Sequence, residues 1–356
     1  MKRGTIKKIA SKNWFIYDFI LRNIAADYNS RAIAFTQRIS QIDSIADFEL
    51  FKEEMNRVPD VKLGTTVTIK RAYSENTLYG YAYSLMLYAE IPEKDIIYLP
   101  IVEHGIPFGS DFTPERYPLN NSYIFQGKYA MNGWNQTFKN RKMFFVGPLI
   151  HYCPDFYSKK QISKMKEKLG RTALIFLPHS SEENKIQFNV DNIINTYLAK
   201  SADNIESVLV CVYCQDVNQI GREALRDRKI HYVSAGFKLD SLFISRLKAI
   251  IELSDIVFYD SFSSSIGYSY YLGKKIVTYI DEIQLEKWGK QWGNEACTKL
   301  KQIAKLFPIN EIEDKRMNQE KFIDKYWGIS NIRDKEYIRK IVEFNKKRIR
   351  QKIGFI

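Results

Sequence analysis

Cysteine is scarce: Cys153, Cys211, Cys214 and Cys297 are the four in 356 residues. So few thiols argue against a disulfide framework, and a reducing cytoplasm is the expected compartment. Cys211 and Cys214 have metal-ligand spacing, but no second pair completes a zinc site. The run VLVCVYC around them reads as a buried strand in which the thiols act as small hydrophobes. Long apolar runs are also missing. No stretch of about 18 apolar residues occurs, which excludes a membrane-spanning helix. The basic start MKRGTIKKIASKNWF lacks the following apolar segment of a secretory signal, so none is expected. Internal repeats and low-complexity tracts are absent too.

What is present is an ordered composition, 45% hydrophobic and 27% charged, with a length that suits two cores. The 23 tyrosines and 22 phenylalanines supply core packing and stacking surfaces. A formal charge of +13 points to an anionic partner: nucleic acid, a membrane surface or a phosphorylated small molecule. No recognition-helix, RNP-like or zinc-finger motif accompanies the charge, so no nucleic acid is expected.

From Trp14 to Met55 apolar residues recur at helical steps. Val61 to Lys70 reads as a β segment. Ser74 is expected to cap a helix whose face carries Leu78, Tyr81, Ser84, Leu85 and Tyr88. Strands are predicted at Asp95 to Glu103, Ser122 to Phe125 and Met143 to Gly147, giving a mainly parallel α/β unit. Prolines and lost periodicity place a boundary near residue 154. A second α/β unit then runs over 155–320, and a helical, basic tail over 321–356.

In the second unit, strands are predicted at Thr172 to Leu177, Val208 to Tyr213, Ile230 to Val233 and Ile256 to Tyr259, with a further β-rich run to Tyr279. Helices are predicted after Ser158, over Val190 to Lys200 and after a cap at Asp240. Three strand ends are polar: Pro178-His179-Ser180-Ser181, Ser234-Ala235-Gly236, and Asp260 through Ser263, Ser264 and Ser265. Doubly wound sheets bind ligands at the carboxyl ends of their strands, and serine hydroxyls with free N–H groups suit a phosphate. The tail puts Ile338, Ile341, Val342, Ile349 and Ile353 on one helix with seven basic residues. It is expected to pack across the domains with its charges in water; an anionic membrane surface is the alternative partner.

Two α/β halves with the ligand groups in the second resemble the GT-B glycosyltransferase architecture, two Rossmann-like domains facing a cleft. The stretch SDIVFYDSFSSSIGYSYYLGKKIV is similar to the donor-binding segment of bacterial surface-polysaccharide members, through Ser254-Asp255, Asp260, Ser263 to Ser265 and Leu272 to Val277. Tyr268 stands where retaining enzymes carry a second Glu. Pro178-His179-Ser180-Ser181 with the serine cluster resembles the His-Pro and Ser-Ser motifs of bacterial sialyltransferases, in Pro-His order. The resemblance implies an inverting transferase using a nucleotide sugar, CMP-sugars first, and a glycan or glycolipid acceptor. The expected location is the cytoplasm, with the inner face of the cytoplasmic membrane as the alternative. The implied donor-binding residues are Pro178, Ser180, Ser181, Ser234, Gly236, Asp260, Ser263, Ser264 and Ser265.

For such chemistry His179 would assist the leaving phosphate. A general base is expected in the first unit, from Glu103, His104 or Asp111, on a loop where Gly105 allows close backbone approach and Pro107 and Gly109 rigidify and bend the chain. Gln126, Gly127, Lys128 and Arg116 could grip an anionic acceptor. No Asp-x-Asp pair ends a strand, so neither a metal nor another cofactor is required. The alternatives are a sugar-nucleotide epimerase or hydrolase, and a basic nucleic-acid or membrane-surface binding protein.

Overall fold

A computed structural model describes residues 26–57, 74–106, 120, 122–129, 131, 141–177, 180, 187, 189–200, 204–221, 229–259, 263–279, 294, 297–308 and 315–354. Its two sheets are wholly parallel. The first is built from β1 (Ile101–Val102), β2 (Ser122–Phe125) and β3 (Lys142–Phe145), in that order. The second contains β4 (Thr172–Phe176), β5 (Ser207–Cys211), β6 (Ile230–Val233), β7 (Ile256–Tyr259) and β8 (Lys275–Thr278), ordered β6-β5-β4-β7-β8. This is the α/β, two-unit architecture expected from the sequence.

Buried parallel strands read as continuous apolar runs because both faces are covered, and β5 and β7 are buried at every position. The period of two splits their side chains between two cores. Ala173, Ile175, Val208, Val210, Ile256 and Phe258 enter one, with α5 (Val190–Lys200) above them. Leu174, Leu209, Val257 and Tyr259 enter the other, beneath α6 (Phe243–Leu253) and α7 (Ser265–Tyr271). That second core continues without a break into the first unit through Leu85, Val102, Ile124 and Val146.

The amino-terminal helices α1 (Ala26–Ser40) and α2 (Phe48–Asn56) pack on the second sheet, through Phe35, Ile39, Phe48 and Phe51. A buried ion pair anchors them. Arg246 bonds the Asp240 carboxylate, and its other nitrogen donates to Ile39 O at 3.0 Å and Ile42 O at 2.9 Å. Asp240 is therefore not the expected helix cap. Leu242 holds that position, because the guanidinium, the Ser40 hydroxyl and the Leu242 N–H already occupy the carboxylate.

Two other elements differ from expectation. Residues 74–91 form a 3-10 turn, Ser74–Gly80, and then α3 (Tyr81–Tyr88). Tyr79 and Gly80 break the run with positive φ, and a Cβ on Gly80 would lie 2.2 Å from Ser241 O, so the chain can approach there only as glycine. The 95–103 strand shrinks to β1 behind a 3-10 turn at Glu93–Tyr98, since Pro100 offers no N–H to a ladder. By contrast α4 (Lys159–Leu169) starts after Ser158 as expected, through a Ser158–Gln161 capping box, and stops at Gly170. Cys211 and Cys214 are buried, and burial pushes the Cys211 thiol up to about 12. The predicted strand over Val61 to Lys70 lies outside the described residues.

After a helix α8 over 297–306, the chain ends in α9 (Arg316–Trp327) and α10 (Lys335–Gly354). The basic tail packs on the first unit. Ile338, Ile341, Val342 and Ile349 are buried. Asn345 donates to Tyr98 O at 2.8 Å, and Lys346 pairs with Asp95 at 3.0 Å. The Ile353 side chain lies outside the described residues. No described helix is long and apolar enough to cross a membrane.

Candidate functional site

Strand order locates the switch point. In β6-β5-β4-β7-β8 the connections reverse direction between β4 and β7, which is where doubly wound sheets bind their ligands. Phe176 and Tyr259 stack across these two strands at 5.5 Å. Beyond them come Ser180 and Ser263 to Ser265. Pro178, His179, Ser181 and Asp260 belong to the same two loops but lie outside the described residues. The third expected end, at β6, is two strands away.

Ser180 is held by a residue that sequence reasoning did not select. Its N–H donates to Asp216 Oδ2 at 2.7 Å, and Gln219 Nε2 donates to the other oxygen at 2.8 Å. Asp216 is buried, so its carboxylate is committed to shaping the β4 loop. At the β7 loop the Ser263 and Ser265 hydroxyls bond each other at 2.7 Å, and Ser265 N–H donates to Ser263 Oγ. Ser264 sits at the N-cap of α7 without making a side-chain cap bond. Its hydroxyl instead accepts Ile106 N–H, from the β1 loop of the first unit, at 3.4 Å. A Cβ on Gly105 would lie 4.0 Å from Ser264 Oγ, an ordinary van der Waals contact, so the two loops meet here without requiring glycine.

That contact joins the β1 and β7 loops, and Glu103 lies three residues before Ile106. The carboxylate is buried, accepting Gln126 N–H at 2.6 Å on one oxygen and the Tyr129 hydroxyl on the other. Burial raises its pKa to about 7 against the opposing effect of these two donors. Its neighbours are phenols: Tyr268 donates to Tyr81 at 3.3 Å beside it. Tyr268 is a buried core residue. His104, next along the loop, is exposed. Asp111 and Arg116 lie outside the described residues.

Other expected residues are placed elsewhere. Ser234 is fully buried, its N–H given to Ile45 O at 3.1 Å and its hydroxyl accepting Gly236 N–H. Gly236 has φ +93°, with Arg246 and Asp240 just beyond its would-be Cβ. This strand end is closed over by the segment after α1. Gln126 and Gly127 are also unavailable to an acceptor. The Gln126 side chain accepts Leu149 N–H, and a Cβ on Gly127 would lie 2.4 Å from the Lys325 and Tyr326 carbonyls. Lys128 is exposed. Among the described residues no group of three or more His, Cys, Asp or Glu side chains could hold a metal ion.

No protein-family model matches the chain, and no curated protein matches it. Among solved structures, wall teichoic acid polymerase TagF with CDPG shares 12% identity over 67% of this chain and 59% of that one, TM-score 0.39. A second TagF structure shares 12% over 74% and 71%, TM-score 0.42. UGT89C1 of Arabidopsis thaliana, complexed with quercetin, shares 10% over 87% and 81%, TM-score 0.35. The chain thus spans 59% of the first of these proteins.

Proposed function

We propose that this chain is an inverting glycosyltransferase that takes its sugar from a nucleotide donor and transfers it, without a divalent metal, to a bacterial surface glycan or glycolipid. One observation carries the reading: the carboxyl end of β1 in one parallel unit meets the carboxyl end of β7 in the other, at Ile106 and Ser264, beside the β4/β7 switch point. Such a seam suits a reaction between two substrates held on opposite sides. The donor phosphate would lie against Ser180 and Ser263 to Ser265, with Pro178, His179, Ser181 and Asp260 of the same loops.

The chemistry assigned is a single displacement. The acceptor hydroxyl loses its proton to a base on the β1 loop, its oxygen attacks the anomeric carbon, and the carbon–oxygen bond to phosphate breaks. The departing phosphate takes that electron pair, stabilised by His179 and the serine donors. Within this reading His104 is the base and Glu103 a support, because both Glu103 oxygens are occupied away from solvent. CMP-sugars come first because of the Pro178 to Ser181 motif.

The test is a melting-temperature panel of CMP-, CDP-, UDP- and GDP-sugars, since a ligand that binds only the folded state raises the midpoint. One nucleotide class should stabilise the protein, and replacing Ser263 and Ser264 by Ala should weaken that effect. With acceptor present, His104→Gln should lower turnover by about 100-fold or more. No stabilisation by any nucleotide sinks the proposal; turnover of donor without acceptor points to an epimerase or hydrolase.

A further inference from the structure

The structure assigns Trp327, the last residue of helix α9, as the positioning residue of the Ser263–Ser265 loop; the assignment rests on the proposed donor site. Trp327 is fully buried, and its indole N–H donates to Ser264 O at 2.8 Å. The ring fills the space that Gly267 leaves: a Cβ there would lie 2.1 Å from Cδ2. Ser264 is therefore gripped twice, its carbonyl by Trp327 and its hydroxyl by Ile106 N–H.

The same end of α9 also holds the first unit. Tyr129 N–H donates to Lys325 O at 3.1 Å, and the Tyr129 and Tyr326 rings stack at 5.5 Å. Gly328, with φ +64°, packs where a Cβ would lie 2.3 Å from Gln126 O. Tyr129 and Gln126 are the two donors to Glu103, which begins the β1 loop. Residues 325–328 thus set the β7 loop on one side and the β1 loop on the other. A chain segment far from both in sequence fixes their distance, and rigid support of this kind is what holds a binding geometry.

The test separates shape from hydrogen bonding. Trp327→Phe removes both bulk and donor and should lower the melting temperature. Benzothienylalanine incorporated at position 327 keeps the shape and replaces N–H by sulfur, so it should melt near wild type. Losing one bond of this kind should weaken stabilisation by the nucleotide found in the panel by about five- to tenfold in Kd. Independently of any ligand, amide hydrogen exchange at Ile106 and Ser265 should accelerate by about the same factor. Unchanged exchange in the isostere overturns the assignment. Unchanged nucleotide affinity with faster exchange overturns its link to donor binding, and a wild-type protein that binds no nucleotide overturns the proposed function instead.

Discussion

Replacing Glu103 by Gln should make the protein more stable at alkaline pH. The wild-type carboxyl is raised from its ordinary 4.5 to about 7 by burial, so between those values the folded state holds a proton that the unfolded chain has released. Stability from this group is therefore fully present below pH 4.5 and is lost as pH rises through 7, with no further change above. At about 1.4 kcal/mol for each pH unit, the interval is worth about 3 kcal/mol. An amide has no such titration. It can accept Gln126 N–H with its oxygen and donate to the Tyr129 hydroxyl with its nitrogen. Urea unfolding at pH 5 and pH 8 measures the effect. The variant should match wild type to within about 1 kcal/mol at pH 5 and exceed it by about 2–3 kcal/mol at pH 8. Stability curves that run parallel between those values would refute the reasoning, and with it the placement of Glu103 as a buried support.

The Arg246–Asp240 pair yields a stability change of opposite sign. Arg246→Met leaves Asp240 charged and buried and should cost about 3–5 kcal/mol in denaturant unfolding. Adding Asp240→Leu should recover part of that loss; a double variant no better than the single one contradicts the ion-pair account. Asp216→Ala removes the acceptor of the Ser180 N–H and should lower stability by about 1–3 kcal/mol. It should also weaken the stabilisation conferred by nucleotide, whereas Asp216→Asn, which keeps one acceptor oxygen, should fall between Ala and wild type in both measurements.

The second sheet was legible because its strands announce themselves locally. Buried on both faces, β5 and β7 are short apolar runs bounded by polar turns, and Ile230–Val233 and Ile256–Tyr259 fall where the pattern places them. Ser158 and Gly170 bracket α4 with local hydrogen bonds, so they too could be read directly. Asp240 misled because its carboxylate answers a charge, Arg246, whose own partners lie at residues 39–42, and no local pattern encodes that distance. Gly80 likewise interrupts a helical pattern for the sake of Ser241, far along the chain.

Sequence alone determined the class of fold, a pair of parallel α/β units, and pointed to the carboxyl ends of strands as the place for a ligand. Tertiary structure decided which of those ends come together. Ser234 and Gly236 are roofed over by the segment following α1, while Ser180 and Ser263 to Ser265 flank the point where the strand order reverses. It also recruited Asp216, Tyr129 and Trp327, whose roles depend on contacts with residues distant in the chain. Strand-forming tendencies and caps are properties of neighbours along the backbone. A site assembled from β1, β4, β7 and α9 is a property of packing, and appears only once the chain has closed on itself.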